Sequence, residues 1–331
     1  MDKEINIKKI KIIIYNYFQT IRKYQKDRQT SEPFQIKFFN FWKQDITDMW
    51  FYRFLLSREW FKKSNKTVSF FSVFGNRFVI NLDKSDVKIF YTGENVQFYT
   101  IRYPDNALHN KKIDLALGFD YDYFDDSRYL RFPLWLLYMF NPEANEDEIK
   151  KRCSELSNPY IGERNGNITL ISRYDVLGIR RNIFESMSLE GINVNCPGKF
   201  MHNDDSLWQK YNDNKHQYLQ NYKFNICPEN SNANGYVTEK IFQAIAAGCI
   251  PVYWGSNNNP EPEVLNHDAI LFWQFGGDNS KTIELIRELN DKPQLLRNFV
   301  AQPRFKETAA ETVIEMFNEL DQKLKLIIEN K

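Results

Sequence analysis

The sequence is poor in several signals that would assign a protein at once. Its 331 residues hold 4 cysteines and 4 histidines, and no cysteine pair has metal-ligand spacing. A structural zinc site is therefore not expected. No GxGxxG occurs, which argues against a nicotinamide dehydrogenase, and no GxxxxGK[ST] occurs, which excludes a P-loop enzyme. No apolar run approaches the roughly 18 uncharged residues a transmembrane helix needs. The start, "MDKEINIKKIKIIIYNYF", lacks an uncharged apolar stretch followed by a small-residue cleavage site, so no signal peptide is read there. Net charge is nearly absent: 44 basic against 43 acidic residues leave +1, and nothing global attracts nucleic acid. Cys227 and Cys249 lie in apolar runs and read as buried free thiols, which suits a reducing cytoplasm.

What is present is a pattern of short strands and helices. Aromatic residues reach 16%, more than is usual, and most are expected in a core. Residues 1–32 form a separate basic segment, with a net of +5 over the first thirty. Within it Ile7, Ile10, Ile14, Tyr17, Ile21 and Tyr24 recur at helical spacing. Two readings of this amphipathic helix stay open: packing on the body or on a second copy, or contact with an anionic membrane surface. The second reading goes with a cytoplasmic protein peripheral to the inner face of the membrane.

From residue 33 to 160, "FQIKFFNFW", "VSFFSVFG", "FVINL", "VKIFYTG" and "IDLALGF" read as strands, with helix between several of them. From 161 to 305 the alternation repeats: strand at 168–172, helix at 180–189, strand from 222, helix at 238–247, strand at 249–255. Residues 306–331 read as a helix, with packing against the first domain one option. The pattern implies two α/β domains with mostly parallel sheets, and a ligand site at strand carboxyl ends in a cleft.

One helix start stands out. Thr238 suits an N-cap, its hydroxyl accepting from a first-turn N–H. Glu239 then complements the macrodipole, while Lys240 opposes it at a cost of a few tenths of a kcal/mol. A bound phosphate would cancel that cost. Gly248 fits the position after the helix.

The stretch "YKFNICPENSNANGYVTEKIFQAIAAGCIPVYWGS" resembles the signature of the α1,3/1,4-fucosyltransferases, which use GDP-fucose. "FYTGEN", "LALGFDYDYFDDSRYLRFPLW" and "IRRNIFESM" resemble further segments of that family in the same order. Pro228 and the loop "NSNAN" depart from it. The resemblance covers about 34–305 and implies the GT-B fold, two Rossmann-like domains facing across a cleft, acceptor domain first and nucleotide-sugar domain second.

The resemblance also implies an inverting transfer of L-fucose to a GlcNAc hydroxyl of an N-acetyllactosamine-type oligosaccharide acceptor, giving Lewis-type surface glycans. It assigns Glu94 as the base and Arg181 and Lys240 to the pyrophosphate. Asn230, Tyr236 and Glu239 become donor contacts. Trp42 is a candidate acceptor contact, and the alternative for each is a packed or solvated side chain. No metal is required, because Lys240, Arg181 and a helix terminus supply positive charge. Asp120 and Asp122, Asp125 and Asp126, and Asp204 and Asp205 then read as turn or solvated acids. The alternatives are transfer of another GDP-6-deoxy sugar to a polysaccharide, or a non-catalytic glycan-binding protein.

Overall fold

Short runs of β-branched and aromatic residues, apolar on both faces, are what buried parallel strands require. Five such runs pair in the first half of the chain: β1 (Ile36–Phe39), β2 (Val68–Phe71), β3 (Val87–Tyr91), β4 (Leu115–Gly118) and β5 (Tyr129–Arg131). They form one sheet in that order, every pair parallel. The structure, a computed structural model, describes residues 15, 17–26, 35–42, 45–96, 110–121, 127–159 and 162–331.

The aromatic surplus goes into this sheet. Phe38 pairs with Phe70 and Phe39 with Phe71 across the β1–β2 ladder, with stacked rings 5.1 and 5.3 Å apart. Helix α1 (Trp50–Leu56) lays Phe51 on Phe70, rings 5.0 Å apart. Such cross-strand pairs each add up to about 1 kcal/mol relative to an alanine pair.

The described part of the basic N-terminal segment is helical over 17–26. Tyr24 stacks on Phe39 at 5.3 Å and donates to the Leu82 carbonyl, and Tyr17 meets Phe78. Lys23 donates to Asn40 Oδ1. This helix therefore rests on its own unit, while Tyr15 and Phe18 are exposed. Residues 1–14 lie outside the described residues, as do Asp122, Asp125 and Asp126.

The second half begins with α2 (Leu134–Met139) and α3 (Glu146–Ser157). Its sheet contains β6 (Gly166–Thr169), β7 (Val194–Asn195), β8 (Tyr222–Ile226), β9 (Ile250–Tyr253) and β10 (Leu271–Phe272). The order is β10-β9-β8-β6-β7, again all parallel. Helix α4 (Ile179–Leu189) follows β6 and α5 (Glu239–Ala246) follows β8. Because β7 and β8 lie on opposite sides of β6, strand order reverses there, and the carboxyl ends of β6 and β8 make the switch point where open α/β sheets bind ligands. Ile168, Ile183, Met187, Phe224, Ile226 and Val252 form the core beneath it.

Helix α5 buries Ile241, Phe242, Ala244 and Ile245, and Phe242 stacks on Trp135 at 4.3 Å. The chain continues through α6 (Ser280–Asp291) and α7 (Pro293–Val300) to α8 (Ala309–Glu329).

The described residues divide into two units. One holds those of Met1–Gly118, Asp122–Phe132 and Asn318–Lys331, and the other Phe119–Tyr121 and Pro133–Phe317. Within the first, Trp60 Nε1 donates to Asp321 and Lys331 pairs with Asp114. No helix among the described residues is long and apolar enough to cross a membrane. All four cysteines are buried and unpaired with one another.

One expected strand is a helix. "FVINL" carries a helical turn at Val79–Leu82, not a strand. It lies in the β2–β3 connection, and a crossover between parallel neighbours must climb back across the sheet. Its single turn is too short to show a helical period.

Candidate active site

The switch point gathers Glu229, Lys240 and Arg180, linked by hydrogen bonds to one short stretch of chain. Glu229 lies beyond the end of β8 and is fully buried, at 0% exposure. Its carboxylate accepts from Thr238 N at 2.8 Å, Thr238 Oγ1 at 2.7 Å and Lys240 Nζ at 3.1 Å. Lys240 Nζ also donates to Thr238 Oγ1 at 2.7 Å and stands 3.9 Å from Glu239. Burial pulls the Lys240 ammonium down, but the Glu229 and Glu239 carboxylates more than reverse this and leave it above its ordinary value. Its side chain keeps 23% exposure.

Thr238 does not cap α5 as the sequence led us to expect. The helix has no side-chain cap. The Thr238 hydroxyl is committed instead, donating to Glu229 and accepting from Lys240. The first-turn N–H groups of α5 consequently lack a side-chain acceptor, the condition under which a helix N-terminus receives an anion. Helix α4 is the contrast. Asp175 accepts from Gly178 N at 3.1 Å and Arg181 N at 2.8 Å, so a carboxylate already fills that terminus.

The two adjacent arginines of α4 part ways. Arg180 shares the buried stripe of Ile179, Ile183 and Met187. It is 4% exposed and donates to the Tyr174 and Pro228 carbonyls and to Asn230 Oδ1. Burial lowers its pKa, opposed by Asp175 and Glu229. Arg181 sits on the polar face, 54% exposed, paired with Glu185 at 3.3 Å and 5.9 Å from the Phe200 ring. The structure therefore brings Arg180, not Arg181, to the loop holding Asn230. A helical wheel separates them: residues 181, 185 and 188 are Arg, Glu and Ser, whereas 180 shares its face with 183 and 187.

Of the other expected donor contacts, Asn230 is half-buried in this cluster and Glu239 is 21% exposed beside Lys240. Tyr236 is turned inward, 1% exposed, its ring 4.9 Å from Phe119. Gly235 precedes it at φ +74°, and a Cβ there would lie 2.6 Å from the Phe119 carbonyl oxygen.

The loop after β9 braces the same segment, a feature the sequence reading missed. Ser256 Oγ accepts from Gly235 N at 3.1 Å, and Asn232 Oδ1 accepts from Asn257 N at 2.7 Å. Ser256, Asn257 and Asn258 all have positive φ. Strain of this kind collects at functional loops, and the "SNNN" run after "YWG" was its signal, since Asn tolerates that region best.

In the first unit, Glu94 follows the carboxyl end of β3. Thr92 Oγ1 accepts from Glu94 N at 3.0 Å and donates to Glu94 O at 2.8 Å, which fixes the turn. Trp42 is half-buried beyond β1, edge-on to Phe74 at 6.1 Å. In a parallel sheet both ends open on one edge, and Phe74 adds 44% exposed aromatic surface there.

Among the described residues no three His, Cys, Asp or Glu side chains gather as metal ligands. Asp204 accepts from Tyr218 and Tyr222, and Asp205 pairs with His202.

Two Rossmann-like parallel sheets, the second with a cationic, uncapped helix start at its switch point, define the GT-B class of glycosyltransferase. Residues 36–138 match the α-(1,3)-fucosyltransferase FucT N-terminal domain, and residues 163–318 match the glycosyltransferase family 10 (fucosyltransferase) C-terminal domain. The chain belongs to that family. The α-(1,3)-fucosyltransferase FucT of Helicobacter pylori is 29% identical over 211 residues, 55% of this chain and 41% of that protein. An α-(1,4)-fucosyltransferase of Arabidopsis thaliana is 33% identical over 92 residues, 28% of this chain and 22% of that protein. The chain thus spans less than half the length of these relatives. A crystal structure of an α1,3-fucosyltransferase superposes with a TM-score of 0.59 at 20% identity, over 89% of this chain and 90% of that one. A second, solved with GDP-fucose, gives 0.57.

Proposed function

We propose that the protein transfers L-fucose from GDP-fucose, with inversion, to a GlcNAc hydroxyl of an N-acetyllactosamine-type glycan, the α1,3 linkage giving Lewis-type products. The observation that carries this reading is the α5 terminus: Lys240 held by buried Glu229 beside first-turn N–H groups that no side chain caps. An array of that kind suits a pyrophosphate, whose charge grows as the sugar bond breaks. Lys240 meets the leaving phosphate. Arg181, exposed on α4, would reach it by exchanging its Glu185 partner for phosphate oxygens. Glu239 and Asn230 hold ribose or phosphate oxygens.

Glu94 takes the proton of the acceptor hydroxyl as that oxygen bonds to the anomeric carbon. The bond to the β-phosphate breaks on the opposite face, and GDP leaves. The turn locked by Thr92 keeps this carboxylate at the strand end, as a general base requires. Trp42 and Phe74 supply apolar ring surface for the acceptor sugar. The cations already in place make a divalent ion unnecessary, so turnover should survive chelation. Loss on chelation, with recovery on manganese, would overturn that point.

The deciding experiment is NMR analysis of the product formed from GDP-fucose with type I and type II disaccharides. A fucosylated GlcNAc 3-hydroxyl of the type II acceptor is expected. Transfer only from another GDP-6-deoxy sugar would move the protein to a different donor.

A further inference from the structure

Arg304 is 1% exposed, and its Nε, Nη1 and Nη2 meet no hydrogen-bond partner among the described residues. Its main chain is tied down on both sides. Arg304 N donates to the Ser157 carbonyl at 2.8 Å, and its carbonyl accepts from Asn266 N at 2.9 Å. A second arginine stands near. Burial, and then the charge of Arg164, lowers the Arg304 pKa to about 10. Arg164 spends Nη1 on the Leu219 and Tyr222 carbonyls and Nη2 on the Ala247 carbonyl, but its Nε also lacks a partner. Both cations act on Cys249, whose Sγ lies 3.7 Å from Arg164 Nη1. Burial holds that thiol up at about 12, so it supplies no negative charge. Among the described residues no carboxylate acts on either arginine, and Glu163, beside Arg164 in the chain, is exposed.

This place is far from the switch point in the sheet. Arg164 precedes β6 and Cys249 precedes β9, so it lies at the amino ends of parallel strands. A cavity of about 370 Å³ adjoins it, with Pro159, Leu219 and Ala246 in the wall and Arg152 and Lys215 against one acid, Glu155. A buried charge without a counter-charge is strongly disfavoured, and three unmet donors add to the penalty. Ordered water would answer the donors but not the charge. An anion answers both, and the planar guanidinium fork presents parallel N–H groups to it.

We infer that a small inorganic anion, phosphate- or halide-sized, binds between the Arg304 and Arg164 guanidinium groups. It joins the chain leading into β6 to the Arg304 segment, which Ser157 and Asn266 hold from the other side. The site is separate from the donor site and does not depend on which sugar nucleotide is used. Its effect is on stability: the kind of anion present, not ionic strength alone, sets how firmly the second unit holds together.

The test titrates bromide or inorganic phosphate into the full chain in gluconate buffer of fixed ionic strength, with melting recorded. The wild type should gain about 5 °C, saturably, at a hundredfold excess over Kd. R304M should show no such gain. Without added anion it should melt at or above the wild type, because the unanswered charge is gone. A gain that persists in R304M belongs to another site, the α5 terminus included, and overturns the inference. So does an R304M chain that melts well below the wild type in gluconate, which would mean that the guanidinium is already satisfied. Crystals of the wild type grown with bromide should give an anomalous peak within hydrogen-bond reach of Arg304, and this arm decides if R304M does not fold. Tetrahedral density in phosphate-grown crystals would mark an oxyanion site, and a bromide peak alone a halide site. Ordered water in both, or a peak with no matching gain in melting, overturns the inference.

Discussion

A lysine in the first turn of a helix costs stability unless something answers its charge, and here buried Glu229 does. The pair is asymmetric: Glu229 has no solvent, while Lys240 retains some. E229A should therefore cost about 3–5 kcal/mol, since it strands a partly buried ammonium and a backbone N–H. Urea unfolding monitored by circular dichroism would measure it, and a change below about 1 kcal/mol would count against the packing described. The elevated Lys240 pKa has a definite sign. Its contribution is complete below the unfolded value near 10.5 and is lost as pH rises through the higher folded value. Asp204 behaves oppositely. Burial pushes its carboxyl up, hydrogen bonds from Tyr218, Ser206 and Tyr222 outweigh burial, and its pKa falls from 3.8 to about 2. Its stabilisation is present above pH 3.8 and lost as pH drops toward 2. D204N should show a shallower loss of stability across that interval than the wild type. At Glu94, E94Q should lower turnover about 10²–10⁴-fold while GDP affinity changes less than twofold. Unimpaired transfer by that variant removes Glu94 from the chemistry.

At the scale of elements, α5 was legible because its signals agree: an acid at N1, an apolar stripe, and Gly248 at φ +76° after its end. Its cap was not legible. A threonine before a helix can accept from the first turn or bond elsewhere, and only the fold brings Glu229 to it. The edge strands β5, β7 and β10 escaped because two or three residues show no period. "FVINL" misled because β-branched residues are common to strands and to single helical turns in crossovers. Arg180 was legible in principle from the α4 wheel, but two of its three partners come from 48–50 residues away. Gly235 gives this scale its prediction. An alanine there must hold φ +74° and place its Cβ 2.6 Å from the Phe119 oxygen. G235A should cost about 1–2 kcal/mol from backbone conformation alone, plus the clash. It should weaken GDP binding by shifting the 230–236 loop. Calorimetry showing unchanged affinity would mean that this loop does not shape the donor site.

For the whole molecule, two sheets with separate cores mean that a ligand of one unit need not order the other. The proposal places every nucleotide contact in the second unit, at the β6 and β8 ends and the α5 terminus. Glu94, Trp42 and Phe74 lie in the first. Ligand that binds only the folded state stabilises it by about 2.7 kcal/mol at a hundredfold excess over Kd. GDP should therefore slow amide hydrogen exchange in the segments around Tyr174–Asn182 and Pro228–Lys240. The β1–β3 strands should keep their own rates, because nothing in the donor reading touches them. An N-acetyllactosamine acceptor should do the reverse, protecting residues after β1 and β3. Exchange read by mass spectrometry on the full chain distinguishes these patterns. GDP protection centred on the first unit would invert the roles assigned to the two sheets. Protection spread evenly over both would mean that local opening is coupled through the whole chain, and the division of donor and acceptor between separate cores would then fail as a thermodynamic description.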